Sequence, residues 1–209
     1  MPFLKVALTG GIACGKSVVG EYLKKKGCYL HQADAVAHKL MAPGRKVWKA
    51  IVHHFGPLIL NHDGTINRHK LGEIVFADPK EREFLNQLIH PLVLKKKEET
   101  LRRLERSGRS GIFISEAALT IEAGFASFFD KIIVVYCPEE MQIERLMSRS
   151  GLSREEAEKR VRAQLPVEEK LKYADYVIDT SGTIEDTLAQ TEKVYQSLLK
   201  DLEAKKRRT

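Results

Sequence analysis

The chain has 209 residues, 43% hydrophobic and 30% charged, which suits one large domain with appendages. No stretch approaches the roughly 20 apolar residues of a membrane span, and three cysteines without C-x-x-C spacing fit neither a disulfide scaffold nor a zinc ribbon, so a reducing, cytoplasmic setting is expected. The formal charge of +7 favours anionic partners, but four positive charges sit in the terminal "KKRRT", read as a solvated tail, and no basic stripe interleaved with aromatics points to nucleic acid.

The first element is the strand "FLKVALT", too short to serve as a secretory signal and running directly into "GGIACGKS". A helix, "SVVGEYLKKKG", follows, with Val18, Val19, Tyr22 and Leu23 on one apolar face and Gly27 as its terminator. The second strand is "CYL". About eighty residues then precede the third strand, far more than an ordinary connection, and they read mainly as helix. Within this insertion "NHDGTIN" signals a turn, Trp48 reads as a packing residue, and "KEREFLNQLIHPLVLKKKEETLRRLERSG" predicts a helix interrupted near Pro91 and closed by Gly108.

The strands "GIFIS", "KIIVVYC" and "DYVID" complete the set. Between the last two, Ser153 and Glu156 stand at capping-box spacing for a helix that stops before Pro166. Apolar runs without alternation suit strands buried on both faces, so the expected fold is doubly wound α/β with a parallel five-stranded sheet flanked by helices.

Gly10, four residues, then Gly15-Lys16-Ser17 is a full Walker A pattern, set between a strand and a helix as that pattern requires. Its glycines let successive N–H groups turn inward, the helix N-terminus adds positive potential, Lys16 reaches the outer phosphates, and Ser17 offers a hydroxyl to Mg²⁺. Gly11, Ile12, Ala13, Cys14, Gly15, Lys16 and Ser17 are therefore the expected ATP-binding residues. Cys14 suits two readings, a thiol activated at a helix N-terminus or a small side chain that merely fits.

Asp34, just after the second strand, lies near the sheet edge where ligands of open α/β sheets gather and could accept a proton from an attacking hydroxyl. Read alone it is better explained as the N-cap of the helix "AVAHKLM", for which aspartate is a preferred residue. His38 stands one helical turn further on. Arg145, Arg149, Arg154, Arg160 and Arg162 follow the fourth strand and could close over phosphates; Arg154 and Arg162 alternate with glutamates as helix surfaces do, which leaves Arg145 and Arg149 as the catalytic candidates beside Lys16 and Asp34.

The order of these pieces resembles the dephospho-CoA kinase family over almost the whole chain: "ALTGGIACGKS", "ADAVAHKL", "FGPLILNHDGTINRHKLGEIVF", "LNQLIHPLV", "ERLMSRSGLSREEAEKRVRAQ" and "ADYVIDTSG". The resemblance implies transfer of the ATP γ-phosphoryl group to the ribose 3′-hydroxyl of dephospho-CoA, the last step of coenzyme A synthesis, with Mg²⁺ as cofactor. It implies a P-loop nucleotide core over 1–35, 109–138 and 167–209, a helical acceptor domain over 36–108, and a lid over 139–166. It assigns the base role to Asp34, places His38, Arg68 and His90 with Asp34 on the acceptor side, puts Arg145 and Arg149 in the lid, and sets "DTSG" near the adenine. The chain departs from the family's usual wording in three places. Gln32 opens "QAD" where "DAD" is usual, Ala13-Cys14 replaces the commoner Gly-Ser of the loop, and "SEAALTIEAG" stands where "D-x-P-L-L-x-E" is typical, so Glu116 replaces an aspartate as the expected ligand of metal-bound water.

Overall fold

The structure, a computed structural model, describes residues 3–208. Strands β1 (Phe3–Gly10), β2 (Tyr29–Gln32), β3 (Gly111–Glu116), β4 (Lys131–Tyr136) and β5 (Tyr176–Asp179) form one parallel sheet in the order β2-β3-β1-β4-β5. Each apolar run picked out above becomes one of these strands. Val6, Ala7, Leu8, Ile133, Val134 and Val135 are fully buried, because helices cover both faces of the sheet centre.

The helices are α1 (Lys16–Lys25), α2 (Ala33–Leu40), α3 (Lys46–Phe55), α4 (Arg68–Ala77), α5 (Pro79–Arg106), α6 (Glu139–Ser150), α7 (Arg154–Arg162), α8 (Val167–Leu171) and α9 (Ile184–Arg207). The molecule divides into two compact units, one made of the chain up to Gln32 together with Leu101 onward, the other of Ala33–Thr100.

In the first unit, Val19 and Leu23 of α1 and Val194, Leu198 and Leu202 of α9 pack on Leu4, Val6 and Leu8 of β1. Each such fully buried aliphatic side chain contributes about 1.5–3 kcal/mol of transfer free energy. Ala7, Ile132 and Val134 meet Val167 of α8 in a separate cluster. Helices α6 and α7 close on each other through Ile143, Leu146, Leu152, Ala157 and Val161. The expected capping box is present: the Glu156 N–H donates to Ser153 Oγ at 3.2 Å and the Ser153 N–H donates to Glu156 Oε2 at 2.8 Å.

Lys170 is fully buried on α8, where its Nζ pairs with Glu122 Oε1 at 2.7 Å and donates to the Ala118 carbonyl at 2.8 Å. The same Glu122 oxygen accepts the Leu165 N–H at 3.2 Å. One carboxylate thus ties the chain after α7, and α8 itself, to the connection between β3 and β4.

Of the terminal basic run expected to be a solvated tail, Lys205, Lys206 and Arg207 form the last turn of α9, where they complement the negative end of the helix dipole; Arg207 and Arg208 are exposed, and Thr209 lies outside the described residues. Lys205 pairs with Asp130 at 2.5 Å and Lys206 with Glu203 at 2.7 Å.

In the second unit, Val47 and Ile51 of α3, Leu71 and Val75 of α4 and Ile89 of α5 surround Ile59 and Ile66. The turn signal "NHDGTIN" becomes a tight reversal closed by an antiparallel bridge between Leu60 and Ile66, and Trp48 Nε1 donates to the Gly64 carbonyl at 3.0 Å. Asn67 then caps α4, its Oδ1 accepting the N–H groups of His69 and Lys70 at 3.1 Å.

The expected interruption at Pro91 does not occur, since α5 runs unbroken for 28 residues. Proline removes the bond to the Gln87 carbonyl and costs about 3 kcal/mol in a helix interior. Leu85, Leu88, Ile89, Leu92 and Val93, on both sides of it, pack into the core of this unit, and together they outweigh that cost.

Candidate active site

The glycine-rich loop connects the C-terminal end of β1 to α1 at the centre of the sheet. Gly10 has φ 145°, and a Cβ built there would fall 2.2 Å from the Val135 carbonyl oxygen of the neighbouring strand, so only glycine lets β1 lie this close to β4 while turning into the loop. Gly15 at φ 79° provides the left-handed step that starts α1. Ala13 also sits in the left-handed region, at φ 58°, the only non-glycine with positive φ among the described residues. The alanine that departs from the family's glycine therefore carries strain of about 1–2 kcal/mol in this loop.

Lys16 arches back across the loop, its Nζ donating to the Gly11 carbonyl at 2.8 Å and the Gly10 carbonyl at 3.3 Å. Ser17, next on α1, is exposed. The first-turn N–H groups of a helix have no intrahelical partner, so the loop, the helix N-terminus and the ammonium form an anion cradle. The Cys14 N–H donates to the Gly11 carbonyl at 3.3 Å within the loop, and its side chain is buried beneath the loop, in the main core.

Glu116 ends β3 at the same edge of the sheet, in register with Leu8 of β1 on one side and Gln32 of β2 on the other. Gln32 Nε2 donates to Glu116 Oε2 at 3.1 Å, and Gly20 of α1 approaches so closely that a Cβ there would lie 3.0 Å from the same oxygen. Two departures 84 residues apart in sequence are thus a single contact. An aspartate at 32 would set two carboxylates together, whereas the neutral amide holds one carboxylate in place.

Arg145 of α6 is half-buried, and its guanidinium is committed to Thr180: Nη1 donates to Oγ1 at 3.1 Å and Nη2 to the carbonyl at 2.7 Å. Thr180 Oγ1 also lies 3.1 Å from the carbonyls of Cys14 and Tyr136. A hydroxyl has one proton, so it accepts from Arg145 and donates to one of these carbonyls at a time. This network joins the "DTSG" segment, the glycine loop, the end of β4 and α6; nothing in the sequence around Thr180 signals this role. Arg149, one turn along α6, is exposed. Arg154 is spent on Glu140, through two bonds of 2.7 Å, and on Glu158 at 3.0 Å, and Arg162 pairs with Glu158 at 3.4 Å, as their alternation with glutamates suggested.

The remaining candidates belong to the second unit. Asp34 is the second residue of α2, inside its first turn and not at its N-cap, because the helix begins at Ala33 directly after β2. Its carboxylate is exposed and makes no side-chain hydrogen bond among the described residues, which sets aside the capping role. His38 lies exposed one turn later on α2, and Arg68 opens α4 in an exposed position. His90 is half-buried on α5; burial lowers its pKa, against a weaker upward pull from Glu83.

A sequence profile of the dephospho-CoA kinase family matches residues 4–186. The dephospho-CoA kinase of Aquifex aeolicus is 42% identical over 197 residues, covering 94% of this chain and 98% of that protein. That of Carboxydothermus hydrogenoformans is 44% identical over 191 residues, covering 91% and 92%. The structure of the dephospho-CoA kinase from Campylobacter jejuni superposes with a TM-score of 0.66 at 32% identity, covering 94% of this chain and 98% of that one. A parallel sheet with a Walker loop at its centre, matched over nearly its whole length by these relatives, makes this chain a member of the dephospho-CoA kinase family, P-loop kinases that transfer phosphoryl groups from ATP.

Proposed function

We propose that the protein transfers the γ-phosphoryl group of ATP to the 3′-hydroxyl of the dephospho-CoA ribose, giving coenzyme A and ADP. The observation that carries this reading is the glycine loop with Lys16 at the head of α1, within a chain that aligns end to end with dephospho-CoA kinases. Phosphoryl transfer of this kind is mostly positioning and charge stabilisation. The loop N–H groups and Lys16 hold the β- and γ-phosphates, and Arg145 and Arg149 offset the charge that spreads over the moving group. Asp34, exposed and without a competing hydrogen bond, accepts the proton of the attacking hydroxyl late in the transfer. His38, Arg68 and His90 bind the acceptor.

The Ser17 hydroxyl and the Glu116 carboxylate held by Gln32 are hard oxygen donors, the chemistry that Mg²⁺ selects, with Glu116 acting through a bound water. An ion held there would supply positive charge to offset that of the phosphates. Among the described residues no helix is long and apolar enough to cross a membrane, and a cytoplasmic enzyme handling two soluble substrates fits that fact.

The test is ADP formation from Mg²⁺-ATP with and without dephospho-CoA, beside adenosine and simple nucleotides as competing acceptors, with the product identified by mass spectrometry. Phosphate on the 3′-hydroxyl of dephospho-CoA alone is the expected result. Tight ATP binding without transfer to any acceptor would replace the kinase reading with that of a nucleotide-binding protein.

A further inference from the structure

Two thiols that the transfer chemistry does not use meet beneath the phosphate loop. Cys14 lies in the loop and Cys137 directly follows β4, 123 residues apart in sequence. They meet because β1 and β4 are neighbouring parallel strands, Gly10 opposite Val135, and both chains leave the sheet at the same edge. Their Sγ atoms are 3.3 Å apart, with the Cys137 thiol donating to Cys14, and both side chains are buried. A disulfide needs an S–S distance of about 2.05 Å, so closure asks for a movement of roughly 1 Å.

The two sulfurs are chemically unequal. The hydrogen bond from Cys137 draws the Cys14 thiol down against the opposing effect of burial, and Lys16 assists. Cys137 is pushed up, first by that same contact. Cys14 is thus the more readily ionised of the two sulfurs and the one suited to attack, and Cys137 the one suited to resolve. Cys28 is the internal contrast, a buried thiol raised to about 12 by burial alone.

We propose that Cys14 and Cys137 form a modification site for low-molecular-weight disulfides, which oxidise the pair to an intramolecular disulfide that pulls the phosphate loop toward β4 and shuts off ATP binding. The Cys14 thiolate attacks one sulfur of the disulfide RSSR, forming a mixed disulfide and releasing RS⁻. The Cys137 sulfur then attacks Cys14, expels the second RS⁻, and its proton passes to a departing thiolate. The protein dithiol loses two electrons and RSSR becomes two equivalents of thiol. Because Cys14 is drawn down at its sulfur, its carbonyl leaves Thr180 and the loop N–H groups lose their common focus. Attack requires the loop to open, so ATP, which holds the loop closed, slows the reaction. The effect on ATP rests on the nucleotide-loop reading; the linkage itself does not.

The experiment treats the purified full-length protein with oxidised glutathione. The expected result is a loss of about 2 Da, a Cys14–Cys137 linked peptide after digestion, and native circular dichroism. The ATP dissociation constant rises at least about tenfold and recovers with dithiothreitol. Cys28→Ala behaves as the parent does, while Cys137→Ala stops at a mixed disulfide on Cys14. The proposal is overturned if Cys14 and Cys137 stay reduced, if linkage appears only with unfolding, if the linked protein binds ATP as before, or if Cys137→Ala carries its adduct on Cys28 or carries none. Failure of the reduced protein to bind ATP would instead sink the nucleotide-loop reading, while the peptide map would still report the linkage independently.

Discussion

Removing the Glu122 carboxylate should destabilise the protein far more than removing the ammonium it pairs with. Lys170 is fully buried, while the Glu122 side chain keeps 22% of its surface exposed. Glu122→Ala leaves a buried ammonium with the Ala118 carbonyl as its hydrogen-bond partner at 2.8 Å, and an uncompensated buried charge of this kind costs about 3–5 kcal/mol. Lys170→Met keeps the apolar stem and leaves a carboxylate that water can reach and that still accepts the Leu165 N–H, so about 1–2 kcal/mol is expected. The double variant should lose less than the sum, with a coupling of about 1–3 kcal/mol. For a chain of this length 3 kcal/mol corresponds to a fall in Tm of roughly 6–12 °C. Urea unfolding followed by far-UV circular dichroism is the assay, because the single tryptophan, Trp48, lies in the other unit and reports on that unit alone. A Glu122→Ala cost no greater than that of Lys170→Met would refute the claim that burial of the cation dominates.

Lys16→Ala should lower kcat/KM by about 10²–10³ while moving stability by less than about 1 kcal/mol, read from steady-state kinetics beside a thermal melt; near-normal turnover would remove Lys16 from the transfer. Asp34→Asn should lose kcat with little change in KM, and a variant that only melts earlier would show that the carboxylate supports α2 and not the reaction. Thr180→Val removes the hydroxyl that accepts from Arg145 Nη1 and can donate to the loop carbonyl, while Nη2 keeps the backbone carbonyl of residue 180, so KM for ATP should rise by about tenfold and stability fall by about 1–3 kcal/mol; unchanged KM and melting would deny the network any role. Gln32→Asp puts a second carboxylate against Glu116 and raises the pKa of the pair above the unfolded value. Its stability should match the parent near pH 4 and fall behind it by about 1–3 kcal/mol as pH rises to 8, and an equal loss at both pH values would contradict the repulsion.

Elements whose causes are local were readable in the sequence. Apolar runs without alternation marked the strands, the Walker spacing marked the loop, and Ser153 with Glu156 marked the start of α7. Local rules failed where tertiary packing decided. Pro91 is carried through α5 by apolar neighbours in its core, and the terminal lysines and arginine continue α9 because Asp130 and the helix dipole receive them. Asp34 read alone as a helix cap until the absence of any loop between β2 and α2 placed it inside the first turn. Pairings such as Gln32 with Glu116 and Cys14 with Cys137 were invisible for a different reason: they depend on which strands are neighbours, and the order β2-β3-β1-β4-β5 cannot be read from the order of segments along the chain.

That strand order also sets a schedule for synthesis. β1 is complete at Gly10, yet both its partners, β3 and β4, begin only at Gly111 and Lys131. At roughly 5–20 residues per second the central strand waits several seconds or longer without either neighbour, its buried side chains Val6, Ala7 and Leu8 exposed to other chains. Ala33–Thr100, one continuous stretch of chain, is made inside that interval. The nascent chain therefore carries an unpaired apolar strand throughout this interval, and aggregation of truncated products should track the presence of residues 3–10 more than any other segment.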